Sequence, residues 1–217
     1  MKFDSFRRLS QRGQFFILGC LGCLSCLFIS CSEEDNTVDE YANWPARNDQ
    51  YLAAIVNDSL RQPGWHRYKK YSLNDDSEGA VSEYVYVKVL EDGDGQDTPM
   101  FTDSVRISYQ GRLIPTPQHP EGYVFDSTIY GTYDKATNSN TKFLLSATTL
   151  IDGFSTVLQR MHRGDHWRVY IPSELGYKES TSSTIPAHSL LIFDITLIDF
   201  SPTGQVMPVW NSRRNER

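Results

Sequence analysis

Between residues 84 and 200 the apolar side chains recur mostly at every second position. Val85, Val87 and Val89 alternate with Tyr84, Tyr86 and Lys88, which predicts a half-buried strand. Glu91-Asp92-Gly93-Asp94-Gly95 has the composition of a turn, after which Val105, Ile107 and Tyr109 alternate again up to Gly111. Further strands are predicted from Thr141 to Leu145, from His166 to Ile171, and from Leu190 to Phe200, where Leu191, Phe193, Ile195 and Leu197 share a face. Between them Phe154, Val157, Leu158 and Met161 fall at helical spacing, predicting one short amphipathic helix that stops near Gly164. Upstream, Asn43-Trp44-Pro45 precedes Tyr51, Leu52, Ile55 and Val56, so a helix is expected from about 45 to 60, ended by Pro63-Gly64. The sum is an α+β plan: an antiparallel sheet, one short helix against it, and an N-terminal helical extension.

Composition narrows the function. With 39% hydrophobic, 22% charged and 12% aromatic residues, the 217-residue chain has ordinary globular composition. Its net charge of -6 and pI of about 5.3 argue against a nucleic-acid partner, which requires a concentrated basic surface. Arg7, Arg8 and Arg12 precede a 16-residue apolar run from Phe15 to Ser30, the arrangement of a secretory signal and short for a membrane span. All four cysteines, Cys20, Cys23, Cys26 and Cys31, lie in or beside this run. Cleavage before Cys31 removes four basic residues and one acid, leaving 17 Lys/Arg against 26 Asp/Glu, a net of -9. A single remaining cysteine can form no intrachain disulfide, so packing alone must hold the folded part.

Phe28-Ile29-Ser30-Cys31 resembles a bacterial lipobox, and the acidic run Ser32-Glu33-Glu34-Asp35 resembles the surface-export signal of Bacteroidetes lipoproteins. These resemblances imply lipidation at Cys31, attachment to a membrane of the bacterial envelope (the outer membrane, with the cell surface open to it), and an acidic tether after the cysteine. The aromatic residues Trp44, Tyr51 and Trp65 are expected to pack on the chain's own domain, which favours a monomer over a dimerising arm. The tail after Phe200 is expected to fray.

A larger resemblance rests on an ordered series: Val105-Arg106-Ile107-Ser108-Tyr109-Gln110-Gly111-Arg112-Leu113, Val124-Phe125-Asp126-Ser127, Leu150-Ile151-Asp152-Gly153-Phe154, Met161-His162-Arg163-Gly164-Asp165, Ile171-Pro172-Ser173-Glu174-Leu175-Gly176-Tyr177, Ile185-Pro186-Ala187-His188 and Leu191-Ile192-Phe193-Asp194. Together these resemble the FKBP-type peptidyl-prolyl cis-trans isomerases. The resemblance implies a half-barrel sheet wrapped around one short helix and the following organisation: signal 1–30, tether 31–43, helical extension 44–82, FKBP-like domain 83–200 and flexible tail 201–217. It also implies an apolar cup that binds X-Pro in proline-containing polypeptides and favours the twisted imide. Asp126, Tyr177, Ile151 and Tyr109 stand at the catalytic positions, and Phe125, Leu150, Phe154, Ile185 and Phe193 at substrate-binding ones. A lone carboxylate at Asp126, between Phe125 and a polar turn, is costly to desolvate without partners, which favours a site role.

The chain departs from the family's pattern at several positions. Thr141 stands where a wall aromatic is usual, with Tyr130 or Tyr133 as candidate replacements. Phe154 replaces a common Trp, Lys178 a usual Gly, and Thr184 a common aliphatic residue. The flap from Glu179 to Thr184 is accordingly polar. A degenerate scaffold that binds peptides or a partner lipoprotein without catalysis is therefore the competing expectation. The chemistry needs neither metal nor cofactor. His162 and His166 have i, i+4 spacing, but Gly164 lies between them and argues against a helical ligand pair, and no G-x-S-x-G elbow occurs.

Overall fold

Asn43 turns the chain with a left-handed backbone (φ 54°), and Pro45, pre-set for the first helical turn, follows at the start of α1, Trp44–Ala54. The computed structural model describes residues 39–209 except 75, 136, 148 and 149; the predicted signal, Cys31 and residues 210–217 lie outside them. The α1 rod continues as a π-helical turn, Ile55–Ser59, so the predicted helix over 45–60 forms. Among the described residues, no helix is long and apolar enough to cross a membrane.

Seven strands then build one sheet: β1 (Trp65–Lys69), β2 (Tyr84–Glu91), β3 (Ser104–Arg112), β4 (Val124–Ser127), β5 (Thr141–Leu144), β6 (His166–Ile171) and β7 (Leu191–Ser201). Their order is β1-β2-β6-β7-β3-β4, with β5 also on β3. Every pairing is antiparallel. The short helix α2, Asp152–Leu158, lies between β5 and β6 in sequence and packs on β1, β2 and β6. The α+β plan of an antiparallel sheet with one short helix is therefore the observed one.

Register fixes which side chains share a face. Val87, Val169 and Phe193 are directly opposite one another across β2, β6 and β7, and all point toward α2. Gly153 to Leu158 are all buried. The approach is close because Gly153 has no side chain, since a β-carbon there would lie 2.4 Å from Ile171. Lys70 pairs with Asp152 at 2.7 Å in the first turn of α2, where a carboxylate also complements the helix dipole.

The face opposite α2 is covered as well, which the alternating pattern did not predict. Tyr84 and Tyr86, expected on a polar face, are as buried as Val85 and Val87. β1, an edge strand beyond the helix expected at 45–60, lays Arg67 over the Tyr84 ring at 4.7 Å, and the Tyr84 hydroxyl accepts from the Gly79 N–H at 2.9 Å. Trp65 of β1 stacks on Tyr170 at 5.4 Å, and Tyr51 of α1 lies 6.4 Å from the same ring. The Tyr86 hydroxyl donates to the Val81 carbonyl at 2.8 Å, and burial pushes its pKa up to about 12. On this face Asp194 accepts from both Arg112 and Arg168, so two partly buried cations share one acid.

The aromatic residues of the N-terminal segment pack on their own domain, as expected. The Trp44 indole N–H donates to Ser189 Oγ at 2.8 Å, and Asn48 Oδ1 accepts from the Leu190 N–H at 2.8 Å. At the other end the chain does not leave the domain at Phe200. Arg106 Nη2 donates to the Pro208 carbonyl at 2.6 Å and Met207 is buried, which holds the described part of the tail where the sequence predicted fraying.

Candidate active site

Strand alternation, a helix start and a flap converge at the open edge of α2. β3 contributes Tyr109, β4 Phe125 and Asp126, β5 Phe143, β7 Phe193, and the entry to α2 Leu150, Ile151 and Phe154. Tyr177, Thr184 and Ile185 close the rim from the segment between β6 and β7. These residues line a hollow of about 380 Å³, large enough for a prolyl ring and the groups on either side of it. All nine residues predicted for the site meet there.

The rings stand edge to face and so leave the hollow open. Phe154 and Phe193 have centroids 5.0 Å apart at 70°, Phe125 and Phe193 5.5 Å at 86°, and Tyr109 and Phe154 5.9 Å at 78°. Gly111 makes this possible, because a β-carbon there would sit 2.6 Å from the Phe193 ring and 2.7 Å from that of Phe125.

The polar groups lie at the rim. The Tyr109 hydroxyl donates to Asp126 Oδ2 at 2.6 Å. Burial first, then this bond and the Asp126 charge, drive the Tyr109 pKa far above the ordinary phenol range. Burial, followed by the Asp126 charge, also raises the pKa of Tyr177. Both phenols are therefore neutral donors throughout the working range of an aqueous enzyme. Asp126 itself is exposed at the lip, which corrects the expectation of a desolvated carboxylate: Tyr109 satisfies one oxygen and solvent reaches the group. The Ile151 N–H sits one position ahead of α2 with extended backbone (ψ 148°) and donates to no group among the described residues. The Tyr177 hydroxyl is likewise unengaged.

Sequence reasoning missed Phe143. Thr141 lacks a wall aromatic, but residues two apart on a strand share a face, and Phe143 on the same strand supplies the ring. It lies 6.2 Å from Tyr109 and 6.3 Å from Phe154. The proposed replacements serve elsewhere: Tyr130 is 82% exposed, and Tyr133 stacks on His166 at 4.2 Å. Lys178, where glycine was expected, keeps the left-handed backbone that favours glycine (φ 57°).

Residues 95–198 match the family model for FKBP-type peptidyl-prolyl cis-trans isomerase. That segment carries every residue that lines the hollow and is similar to this family. The chain is similar to the macrophage infectivity potentiator of Trypanosoma cruzi, 28% identical over 82% of this chain and 81% of that protein. It is also similar to the peptidyl-prolyl cis-trans isomerase Mip of Coxiella burnetii, 38% identical over 51% of this chain. There the alignment spans 42% of the relative's length. Among solved structures, FkpA from Escherichia coli superposes with a TM-score of 0.53 at 24% identity, covering 74% of this chain and 62% of that one, and shows the shared fold.

Proposed function

We propose that this chain is a peptidyl-prolyl cis-trans isomerase that assists the folding of extracytoplasmic proteins, held to a bacterial envelope membrane by a lipid on Cys31. The observation that carries the reading is the open aromatic hollow with the Tyr109–Asp126 pair at its lip. Rotation about a peptide bond faces a barrier of about 18 to 20 kcal/mol, because the C–N bond has partial double-bond character. X-Pro bonds therefore isomerise unaided in tens to hundreds of seconds. Resonance charge on the carbonyl oxygen makes water favour the planar amide over the twisted one. A hollow walled by Phe125, Phe143, Phe154 and Phe193 excludes that water.

In this reading the prolyl ring sits over Phe154. The Ile151 N–H, which donates to no group among the described residues, and the neutral Tyr177 hydroxyl hold substrate carbonyls, while Tyr109 and Asp126 set the polarity beside the twisting bond. No nucleophile or proton transfer is involved. Favouring the twisted form by about 4 kcal/mol accelerates rotation roughly a thousandfold.

A protease-coupled isomerisation assay on an X-Pro tetrapeptide tests the proposal. The wild-type chain accelerates isomerisation, and Asp126→Ala and Tyr177→Phe each lower kcat/KM by about tenfold, the range for losing one charge-assisted or polar hydrogen bond. A wild-type chain without acceleration is a binding module, and the isomerase reading fails.

A further inference from the structure

A second hollow of about 370 Å³ adjoins the cup and shares Thr184 and Ile185 with it. Its far wall is made by Glu40 and Tyr41, which precede α1, and by His119 and Tyr123 from the β3–β4 connection. Glu40 lies outside the segment that matches the isomerase family. It is held there by the anchorage of α1 on Ser189 and Leu190, a few residues beyond Ile185.

The carboxylate of Glu40 is positioned through one oxygen. Its Oε1 accepts from Thr116 Oγ1 and lies 2.7 Å from His119 Nδ1. Those contacts, the Thr116 bond first, hold its pKa below the usual carboxylate range. The other oxygen, Oε2, has no hydrogen-bond or ion-pair partner among the described residues. The nearest guanidinium does not take it: Arg47 donates to the Glu40 backbone carbonyl at 2.6 Å and lies over the Trp44 ring. A carboxylate with one oxygen unpartnered among the described residues, lining a hollow that two tyrosines also line, matches a cationic side chain, which gains from the charge and from the rings.

We propose that this hollow is a specificity subsite for a lysine or arginine flanking the proline, so that the isomerase prefers basic prolyl segments. The proposal rests on the isomerase reading, because it extends the same site. One polypeptide occupies both hollows by crossing Thr184 and Ile185. The acidic partner comes from the segment just before α1 and not from the residues that match the isomerase family.

Binding distinguishes the two. Fluorescein-labelled alanine-based peptides with one proline are titrated with the full-length chain in detergent. A single lysine is walked from three residues before the proline to three after it. Lysine at one position, or two adjacent ones, tightens binding about fivefold over the all-alanine peptide. E40Q abolishes that gain and leaves the all-alanine peptide's Kd unchanged, and E40K moves the gain to peptides that carry glutamate at the same position. A flat lysine series in wild type, or a gain that survives in E40Q, overturns the subsite while leaving the cup standing. Failure of every peptide to bind overturns the cup and the subsite with it.

Discussion

Tyr109 stands where the wall of the cup meets its lip. Its ring lies 5.9 to 6.2 Å from those of Phe154, Phe193 and Phe143, and its hydroxyl holds Asp126. Phe143 completes that wall, so Phe143→Ala is expected to raise KM for a prolyl peptide by about tenfold with kcat less affected. The signature of lost binding surface in steady-state kinetics checks this. Residues whose role depends on type and order were legible in the chain: Tyr109, Asp126, Ile151 and Tyr177 are found where the motif series put them. Phe143 was not, because the motif points at Thr141 and only the strand's period shows that its second neighbour shares the face. Outside the cup, His166 is buried against Tyr133, and burial lowers its pKa below 6.5 despite the opposing charges of Asp194 and Glu91. As pH falls through 6.5 the unfolded chain binds a proton that the folded chain refuses, so stability present above that pH declines toward the depressed value. The urea midpoint of the wild type therefore drops between pH 8 and pH 5.5, and His166→Gln flattens that part of the drop.

At the level of elements, α1 belongs to the domain that it precedes. Trp44 is 3% exposed, and its indole bond to Ser189 together with the Asn48 bond to Leu190 pins the end of the flap that carries Ile185. Trp44→Ala is expected to cost about 3 kcal/mol in urea unfolding, the lower range for removing a buried aromatic, and Trp44→Phe about 1 kcal/mol, since packing is kept and one hydrogen bond lost. The helix itself was visible in the sequence through its cap, proline and apolar spacing. β1 was hidden, because Trp65–Lys69 carries three polar or charged residues in five and becomes a strand only by pairing with β2. The burial of Tyr84 and Tyr86 was hidden for the same reason: alternation reports one covered face, and the second is covered by Arg67 of β1 and by the segment at Gly79 and Val81, which carries no apolar period.

For the whole molecule, the reading joins an export leader, a lipidated cysteine and an isomerase domain whose back is sealed by its own N-terminal segment. Cys31→Ser is expected to move the protein from the membrane pellet to the soluble fraction of a bacterial host, since one lost acyl anchor removes the attachment while the domain folds as before. An unchanged membrane fraction in that variant would remove Cys31 from the account. The central claim is that the hollow speeds rotation about X-Pro bonds. Exchange NMR on a short Phe-Pro peptide, in which cis and trans forms give separate signals, reads that rotation without a coupling protease. With the chain at catalytic concentration the account predicts exchange cross-peaks between the two forms that weaken strongly in Asp126→Ala. Peptide signals that broaden on binding, with no cis-to-trans cross-peak, would contradict it.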